Sequence, residues 1–410
     1  MKQLLDQTLT VILAGGTGSR LYPLTADRAK PAVPFGGKYR IIDFSLANCL
    51  HSGLRRILVL TQYKSHSLQK HLRDGWSIFN PEVGEYITPI PPQMRTGDRW
   101  YEGTADAIYQ NLYLLERNSA EQVLILSADH IYRMDYGAML QAHRQSGAEV
   151  TVACMTVPLA EASAFGVVSL ASDGVQITGF YEKPAHPQPL AEDDQQALVS
   201  MGIYLFDKAL LLRLLQEDAR RSESHHDFGC DILPRLIGQR RLHAYRFGGE
   251  AGRVTPDSYW RDVGTIDAYY AANMDLLRPV PPLNLYQEDW PIRTAQRQTP
   301  PARTVPGWSG NEGIFINSIA AGGVVIAGGS VHRSLLFPYV FIDDEAMVEE
   351  SILFHDVQVG RGAQLRRCIV DKRVKIPAGE QIGYDLARDR NRFHVSEEGI
   401  VVIAEDYRFD

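Results

Sequence analysis

The 410-residue sequence predicts a three-layer α/β domain with a mostly parallel sheet, followed by a three-sided parallel β-helix. Strand-like and helix-like segments alternate from Thr10 to about Arg278, which predicts the α/β domain. Near the C-terminus, apolar residues recur in steps of six, five and six residues, a 17-residue period that predicts the β-helix. A proline-rich stretch lies between the two patterns. We therefore predict domains at 1–278 and 311–410, joined by an extended linker at 279–310 that hugs a domain.

The first apolar run, Val11 to Ala14, reads as a buried strand that opens into the loop Gly15–Arg20, whose sequence is GGTGSR. Glycines let backbone N–H groups approach an anion closely, and Arg20 and Lys30 add charges suited to phosphate oxygens. The loop matches neither G-x-x-x-x-G-K-[ST] nor G-x-G-x-x-G, because Gly18 is followed by Ser-Arg-Leu. We interpret it as a cradle for a nucleotide triphosphate, and an ordinary turn from strand to helix is the alternative.

Short apolar runs and longer helix-like segments make up the alternation in the first 278 residues. The predicted strands are Ile57–Leu60, Val123–Ser127, Val150–Val157 and Met201–Phe206. The predicted helices are Phe44–Ser52, Ala105–Arg117, Tyr136–Gln145 and Lys208–Asp218. Because ligands of such sheets collect at the carboxyl ends of the strands, the glycine-rich loop is expected to border the site.

The C-terminal repeat places one apolar residue in each hexapeptide. Its positions are Val325, Val331, Leu336, Ile342, Val348, Leu353, Val359, Leu365, Val370, Ile376 and Ile382. A three-sided parallel β-helix points one such side chain inward on each face, and an irregular all-β domain is the alternative. Because stacked coils leave open ends, we expect this domain to pack against the α/β domain, a partner subunit, or both.

Composition narrows the classes of protein. A net charge of −7 argues against general binding of nucleic acid, so any phosphate site must be a local basic pocket. No apolar run approaches the ~18 residues of a spanning helix, and the N-terminus lacks the apolar core of a signal peptide, so no membrane partner is expected. The four cysteines are far apart without a C-x-x-C pair, which indicates neither zinc nor disulfides and favours a cytoplasmic location.

Two carboxylates are candidates for holding a divalent cation. Asp129 follows the apolar run Leu124–Ser127, at a strand end where phosphates are expected. Asp262 lies in the segment Tyr259–Thr265, which reads YWRDVGT. Taken alone, Asp129 is better explained as a helix N-cap or a turn residue. Two carboxylates from distant segments that met over a phosphate pocket would form a metal site.

Three further segments carry groups that suit a sugar phosphate or a base. Trp100–Asp106 joins aromatic residues to a glycine turn, and its alternative role is a hydrophobic anchor with Thr104 as helix N-cap. Glu182 and Lys183 are expected on opposite faces of an extended segment, where they contact a ligand separately, unless they form a solvated turn. Ser200 either faces the ligand or only begins a strand.

Together these motifs resemble the bacterial ADP-glucose pyrophosphorylase family, the glucose-1-phosphate adenylyltransferases of glycogen (α-glucan) synthesis. The resemblance covers nearly the whole chain and rests on Leu13–Arg20, Arg28–Val33, Phe35–Lys38, Tyr39–Phe44, Thr61–Tyr63, Trp100–Ala107, Asp129–Tyr132, Ala162–Val167, Glu182–Pro184, Ser200–Tyr204, His226–Gly229, Tyr259–Thr265 and Ser396–Ile400. Many sugar-nucleotide transferases share the first loop, whereas the full set is far more specific.

The resemblance implies a Rossmann-like catalytic domain of the glycosyltransferase-A type, followed by a left-handed parallel β-helix, in a homotetramer. It implies that ATP and α-D-glucose 1-phosphate give ADP-glucose and pyrophosphate, with Mg²⁺ as cofactor. It also implies allosteric control by anionic metabolite effectors bound between the two domains.

Each candidate residue acquires a role from this resemblance. The implied catalytic residues are Arg20, Lys30, Asp129 and Asp262, and the two aspartates would also bind the metal. The implied nucleotide contacts are Leu13, Ala14, Gly15, Gly16, Gly18, Ser19, Gln62, Gly103 and Thr104. The implied contacts of glucose 1-phosphate are Tyr101, Gly166, Glu182, Lys183, Ser200, Asp227 and Trp260. The implied effector contacts are Arg28, Arg40, Arg366 and Arg367.

The chain departs from the enteric pattern at the effector positions. Asp27 stands where a lysine for the activator is found, Pro34 replaces a histidine, and no basic tail precedes Asp410, which argues against activation by fructose 1,6-bisphosphate.

Three alternatives remain: a transferase that uses UTP or dTTP, a bifunctional enzyme with an acyl-transferring β-helix, and a non-catalytic regulatory subunit. The second is disfavoured because the β-helix histidines share no repeat register. The third is disfavoured because the four central charged residues are present, namely Arg20, Lys30, Asp129 and Lys183.

Overall fold

The computed structural model describes residues 1–16, 18–93, 100–248, 253–254 and 258–409, so Thr17 of the glycine-rich loop lies outside the described residues. The strands of the first domain are β1 Thr8–Ala14, β2 Pro34–Phe35, β3 Tyr39–Arg40, β4 Arg56–Thr61, β5 Tyr86–Ile90, β6 Gln122–Ser127, β7 His130–Tyr132, β8 Val150–Pro158, β9 Gly166–Leu170, β10 Ile177–Glu182, β11 Gln196–Asp207, β12 Leu242–Arg246 and β13 Trp260–Asp262. The α-helices of the chain are α1 Lys2–Asp6, α2 Ile42–Ser52, α3 His66–Trp76, α4 Thr104–Tyr109, α5 Leu112–Glu116, α6 Tyr136–Ser146, α7 Lys208–Asp218, α8 Leu233–Leu236, α9 Ile266–Asp275 and α10 Leu386–Arg390. Short 3₁₀ segments cover Ser19–Leu21, Lys30–Ala32, Pro81–Val83 and Leu159–Ala164, and a π-helical turn covers Phe228–Ile232.

A nine-stranded mixed sheet forms the centre of the first domain. Its main path runs β10-β9-β11-β6-β1-β4-β5, and β8 pairs with both β11 and β12. The pairs β1–β4, β1–β6, β4–β5 and β8–β12 are parallel, whereas β11 runs antiparallel to β6, β8 and β9, and β9 antiparallel to β10. The prediction of a mostly parallel sheet is therefore wrong. Its cause is β11, a strand that the helix–strand alternation predicted correctly but whose direction the alternation did not specify.

The helices follow the predicted segments, with one difference. The predicted helix Ala105–Arg117 is broken into α4 and α5 at Gln110 and Asn111. The Asn111 amide donates to the Ala107 carbonyl at 2.9 Å and to the Tyr101 hydroxyl at 3.0 Å. An asparagine side chain that bonds to nearby backbone competes with the helix, and this accounts for the break. In the described ranges, no helix combines the length and the apolar character needed to cross a bilayer.

The C-terminal domain is a parallel β-helix of three sheets. Its strands are β14 Arg303–Val305, β15 Ile314–Ile316, β16 Ile319–Ala320, β17 Val325–Ala327, β18 Ser330–His332, β19 Leu335–Leu336, β20 Phe341–Ile342, β21 Met347–Glu349, β22 Ile352–Leu353, β23 Gln358–Val359, β24 Gln364–Arg366, β25 Cys368–Val370, β26 Lys375–Ile376, β27 Gln381–Ile382, β28 His394–Val395 and β29 Val401–Ile403. The sheets run β14-β17-β20-β23-β26, β15-β18-β21-β24-β27 and β16-β19-β22-β25-β29-β28. The first strand lies inside the range predicted as linker.

The 17-residue repeat is confirmed along most of the β-helix, and its first position is wrong by one residue. Val331 pairs with Val348, and Leu336 pairs with Leu353, both one period apart. Ile326, however, pairs with Ile342 and is buried, whereas Val325 pairs with Phe341 and is only half-buried. The coil that ends at Ile342 is therefore one residue shorter than 17 on this face. Counting back 17 residues from Ile342 selects Val325, whereas the buried residue is Ile326.

The two domains share one apolar core. Leu335, Phe337, Ile352, Phe354, Ile369, Ile400 and Val402 of the β-helix belong to the cluster that contains β1 and α2 side chains such as Ile12 and Phe44. The connecting segment lies against the first domain, where the Trp290 indole donates to Asn48 at 3.1 Å and Arg293 donates to the Gly75 carbonyl at 3.0 Å. The β-helix is therefore packed directly against the first domain.

Candidate active site

A cavity of about 550 Å³ opens at the carboxyl ends of the parallel strands β1, β4 and β6. Its wall consists of Leu13, Ala14, Gly15, Gly16, Lys30, Pro31, Leu60, Gln62, Tyr63, Trp100, Tyr101, Glu102, Gly103, Thr104, Ala107, Ser127, Asp129, Glu182, Gly202, Tyr204, Asp227 and Gly229. The position agrees with the expectation that ligands bind at this edge of an α/β sheet.

Two glycines of the glycine-rich loop, Gly15 and Gly18, lie close to side chains from other parts of the chain. Gly18 has a φ of +64°, which favours glycine, and its carbonyl accepts a hydrogen bond from the Thr25 hydroxyl at 2.8 Å. A Cβ on Gly15 would lie 3.1 Å from Gln62. The Gln62 amide, oriented to satisfy both partners, donates to the Gly15 carbonyl at 2.7 Å and accepts from the Tyr101 N–H at 3.1 Å. Gln62 thus ties the loop to the opposite wall.

Lys30 brings the two candidate metal ligands together. Its Nζ lies 2.7 Å from Asp129 Oδ2 and 3.0 Å from Asp262 Oδ1. Burial alone would lower the pKa of Lys30, but Asp129 and Asp262 outweigh burial and raise it above its usual value. Burial would raise the pKa of Asp129, yet Lys30 and His130 hold it well below its usual range. The Asp129 carboxylate is therefore available as an anion.

The group formed by Asp129, His130 and Asp262 fits a divalent cation. Ligand atoms of the three residues lie within 4.8 Å of one another, and His130 Nε2 is 3.5 Å from Asp129 Oδ1. Two carboxylate oxygens are the donors that Mg²⁺ prefers. In the described part of the chain, the buried His130 Nδ1 and the Trp260 indole N–H have no hydrogen-bond partner. Trp260 packs on the His130 ring at a centroid distance of 4.7 Å, so it supports this group from behind.

Arg20 lies beside the carboxylate pair and outside the cavity wall. The residue is exposed, and a Cβ on Gly264 would lie 3.3 Å from its guanidinium and 3.0 Å from Asp262. Of the residues that the sequence places at the site, Gly18, Ser19, Arg20, Gly166, Lys183, Ser200, Trp260 and Asp262 also lie outside the described wall. Gly18 and Ser19 begin the 3₁₀ turn that carries Arg20.

Glu182 and Lys183 contact each other, contrary to expectation. Lys183 Nζ lies 3.2 Å from Glu182 Oε1, because Lys183 has a φ of +44° and is not extended. The strand β10 ends at Glu182. The left-handed conformation of the next residue, Lys183, turns its side chain back towards the Glu182 carboxylate. The alternative of a solvated charged turn is closer to the structure, since 63% of the Lys183 side chain is exposed.

Two glycines make room for the Glu182 carboxylate. A Cβ on Gly166 would lie 3.0 Å from Glu182 Oε2, and a Cβ on Gly229 would lie 2.6 Å from the same atom. Gly166 therefore acts by giving Glu182 space. Gly229 was not a predicted site residue, although the segment that contains it was quoted for its resemblance to the family.

Asp227 and Thr104 are bonded to each other. The Thr104 hydroxyl donates to Asp227 at 2.8 Å, and Asp227 also accepts from the N–H groups of Gly229 and Cys230. Gly103, rather than Thr104, is the N-cap of α4. A Cβ on Gly103 would lie 2.2 Å from the His226 carbonyl, so this close approach requires glycine.

Ser200 lies at a bulge in β11. Its hydroxyl accepts from the Gly202 N–H at 3.2 Å, and the pairing of β11 with β8 shifts between Ser200 and Tyr204. Gly202, with a φ of +69°, permits this bulge and lines the cavity together with Tyr204. Neither of these two was predicted as a site residue, and the glycine in the middle of a strand pattern was the available signal.

Only one member of an exposed aromatic pair at the cavity wall was predicted from the sequence. Tyr63 and Trp100 stack with a centroid distance of 4.8 Å and an interplanar angle of 10°. Trp100 was predicted to lie near a base or sugar, whereas Tyr63 was predicted only as part of a segment that resembles the family. The stack joins two loops that are distant in the sequence, so no local pattern indicates it.

Comparison with known proteins gives the family. A model described as nucleotidyl transferase matches residues 9–278, and one described as GlmU-like, C-terminal hexapeptide, matches residues 300–403. Glucose-1-phosphate adenylyltransferase 2 of Vibrio cholerae is 61% identical over 405 residues, which covers 99% of each chain. The chain belongs to the glucose-1-phosphate adenylyltransferase family. The Vibrio parahaemolyticus member of that name is 63% identical over 99% of this chain and 100% of its own. A Yersinia pseudotuberculosis member is 48% identical over 99% of this chain and 95% of its own.

Membership in the glucose-1-phosphate adenylyltransferase family confirms the nucleotidyltransferase fold predicted for the first domain. The hexapeptide match and the three parallel sheets are consistent with the left-handed β-helix implied for the second. The arginines predicted to bind effectors differ from one another in their surroundings.

Arg28 has its charge neutralised within the protein. Its guanidinium donates to both Asp371 oxygens, at 2.9 and 3.0 Å, and to Glu405, and the residue is buried. It does not present a free cation to an effector in this conformation. Arg40 is different: it donates to the Ser67 carbonyl and hydroxyl, both at 2.9 Å. Burial lowers the pKa of Arg40 to about 10, with Arg28 contributing.

The remaining two arginines lie elsewhere on the β-helix. Arg366 is exposed on β24, and Arg367 donates to the Glu398 carbonyl at 3.2 Å. Lys372 was not predicted as an effector contact, yet it lies close enough to Arg28 and Arg40 to interact with them electrostatically. Burial lowers the pKa of Lys372 to about 8, and those two arginines contribute. Burial is the largest cause of this lowered pKa, and Glu405 and Asp371 partly oppose it.

Proposed function

We propose that this protein transfers the adenylyl group of ATP to α-D-glucose 1-phosphate and releases pyrophosphate, supplying ADP-glucose for glycogen or α-glucan synthesis. One observation supports this proposal most directly: a single cavity is bordered by the glycine-rich loop, Lys30, Asp129 and Glu182. The names of the relatives, glucose-1-phosphate adenylyltransferase, give the substrate and the transferred group.

The cavity divides into two subsites in this proposal. The nucleotide lies against the glycine-rich loop and Gln62, and its base against the Trp100 side. Glucose 1-phosphate lies towards Glu182, which accepts from sugar hydroxyls, while Lys183 binds the phosphate at the rim. Tyr101, Asp227 and Trp260 complete the sugar side, the first through its ring and the other two by supporting the wall.

The reaction follows from the placement of two polyanions. The phosphate oxygen of the sugar is already anionic, so it attacks the α-phosphorus in line without a strong general base. Lys30 and the loop N–H groups offset the charge of the triphosphate, Arg20 reaches the phosphates from outside the wall, and Lys183 holds the attacking phosphate. Mg²⁺, held by Asp129 and Asp262, supplies further charge neutralisation at the phosphates when bound.

The proposed activity is tested by measuring pyrophosphate release from ATP and glucose 1-phosphate, with and without Mg²⁺. We expect release that requires both substrates and the metal. Replacing ATP by UTP or dTTP in the same assay decides the alternative of another base. Equal rates with UTP or dTTP would assign a broader nucleotidyltransferase, and no release with any nucleotide would support a regulatory subunit.

We further propose that an anionic metabolite binds near Arg40 and Lys372. The closeness of Arg40 to Lys372, whose pKa it helps to lower, supports this site, whereas Arg28 is already paired with Asp371 and Glu405. Rates across a panel of sugar phosphates, pyruvate and AMP test it, with Lys372→Met as the variant that should lose the response. Flat rates with the whole panel would discard effector control.

We also propose that the chain forms a homotetramer in the cytoplasm. The strand β15 lies at the edge of its sheet and exposes Ile314, Phe315 and Ile316 by 43, 37 and 53%. An apolar edge strand is usually covered by another chain. Light scattering after size exclusion tests this, and Ile316→Lys should reduce the assembly.

The free cysteines, three of them buried, support a reducing compartment.

A further inference from the structure

Lys30 is held against the two carboxylates rather than extended into the cavity. It begins the 3₁₀ segment Lys30–Ala32, followed by Pro31, and only 7% of the residue is exposed. Its ammonium group contacts Asp129 and Asp262 at 2.7 and 3.0 Å. Asp129 lies between β6 and β7 and Asp262 ends β13, far apart in the sequence, and the lysine pairs with both where they meet.

The ammonium group and a divalent cation compete for the same oxygens. A cation such as Mg²⁺ needs its carboxylate ligands at about 2.0–2.1 Å. An ion held by the same two carboxylates would lie near Lys30 Nζ, and the two positive charges would repel each other. The lysine must leave at least one carboxylate before a divalent cation bridges the pair.

The cavity offers the lysine another anionic partner. Lys30 lines it together with Gly15 and Gly16, the loop glycines proposed to receive the nucleotide phosphates. A polyphosphate on that loop would attract the ammonium group away from the aspartates. The carboxylates would then be left with uncompensated charge, which favours a divalent cation.

We propose that Lys30 is a displaceable counter-ion, which keeps the Asp129–Asp262 pair closed to divalent cations until a polyphosphate binds. This inference rests on the proposed metal site and concerns the order in which that site fills. A group that blocks metal binding in the free protein and permits it in the nucleotide complex couples the two binding events. By linkage, the metal and the nucleotide then each raise the affinity for the other.

The test measures Mn²⁺ binding to the nucleotide-free protein by titration calorimetry and by the loss of the free Mn²⁺ electron paramagnetic resonance signal. Lys30→Met, which removes the charge and keeps the chain length, should bind Mn²⁺ at least about tenfold more tightly than the wild type. Lys38→Met removes the same charge from an exposed lysine of the same domain and should leave the affinity unchanged. Adding Asp262→Asn to Lys30→Met should abolish the gain.

A second variant and a second measurement guard against misfolding. Lys30→Gln keeps a hydrogen-bond donor and should show the same gain, and Mn²⁺ should raise the melting temperature of both variants more than that of the wild type. The free wild type should bind Mn²⁺ more weakly than ATP alone does. Tight binding by the free wild type, or an unchanged affinity in the variants, would overturn the inference.

The outcomes separate this inference from the metal site itself. If the Lys30 variants bind Mn²⁺ like the wild type, but Asp129→Ala removes Mn²⁺ from the nucleotide complex, the counter-ion role fails and the metal site stands. If neither carboxylate affects Mn²⁺ binding in that complex, the metal site fails, whatever Lys30 does.

Discussion

At the residue scale, the two lysines of the site already have acidic partners. Lys30 contacts Asp129 and Asp262, and Lys183 contacts Glu182. In the proposed function, phosphates replace these carboxylates as partners of the two lysines, in a chain whose net charge is −7. The cost of breaking these pairs lowers affinity, and it also prevents other anions from occupying the site.

Asp129→Ala should reduce turnover by about 10²-fold or more while the fold remains intact, because the variant loses one of two ligands that offset phosphate charge. Pyrophosphate release measures turnover, and circular dichroism checks the fold. Asp194→Ala, at an exposed loop position, is the matched control and should be near normal. A normal rate in Asp129→Ala would remove Asp129 from the metal site.

Lys183→Ala should mainly raise the KM for glucose 1-phosphate, by about tenfold, and leave the KM for ATP nearly unchanged. The lysine lies at the exposed rim on the side of Glu182, away from the glycine-rich loop. Steady-state kinetics with each substrate varied in turn gives both constants. The assigned role is refuted if the KM for glucose 1-phosphate does not change.

At the scale of elements, the site is shaped by strand ends and by register. Lys183 follows the end of β10 in a left-handed conformation that folds its side chain back on Glu182, and β11 carries a bulge that places Gly202 and Tyr204 in the cavity wall. The β-helix shows the same sensitivity, since one residue fewer in a single coil exchanges the inward and outward neighbours.

Ile326→Ala should lower the free energy of unfolding by about 2–4 kcal/mol, because Ile326 is buried and its removal leaves a cavity. Val325→Ala changes the adjacent, half-buried residue and should cost clearly less. Urea unfolding of both variants makes the comparison. A larger loss for Val325→Ala would restore the strict 17-residue register.

At the scale of the whole molecule, the two domains are joined by a continuous apolar core and by buried charges. Leu335 and Phe354 of the β-helix belong to the core of the first domain, and Arg28 crosses the boundary to Asp371 and Glu405. The catalytic domain therefore cannot change its position against the β-helix without breaking an ion pair in a low-dielectric environment.

Arg28→Ala should destabilise the protein by about 3–5 kcal/mol, since it leaves the buried Asp371 without its paired cation at the domain boundary, whereas Glu405 keeps its pair with Arg373. Arg361→Ala breaks an exposed pair with Glu345 and is the matched control, with an expected loss under about 1 kcal/mol. Urea unfolding measures both. Equal losses would mean that the Arg28 pair contributes no more than a surface pair.

Lys372→Met should raise the melting temperature at about pH 7, and the gain should shrink as the pH rises. The folded pKa of Lys372 is about 8, below its ordinary value of 10.5. The folded state therefore pays a penalty below pH 8, which fades between about 8 and 10.5 as the folded chain loses the proton first. Lys375→Met, an exposed lysine of the same domain, should show no such trend. A gain that grew with pH would contradict the assignment.

The sequence by itself determined both domain types, the positions of the central strands and of several helices in the first domain, and part of the cavity wall. Those features depend on local periodicity, on glycine spacing and on motifs, all of which are present along the chain. It also indicated that Asp129 and Asp262 were candidate ligands, without showing that they meet.

Only the tertiary structure decided which groups are partners. The direction of β11, the Lys30 contact with both aspartates, the Tyr63–Trp100 stack and the pairing of Arg28 with Asp371 all join residues that are distant in the sequence. The physical reason is that charge pairing and close packing act over a few ångströms in space, and the chain brings those distances together only when it folds.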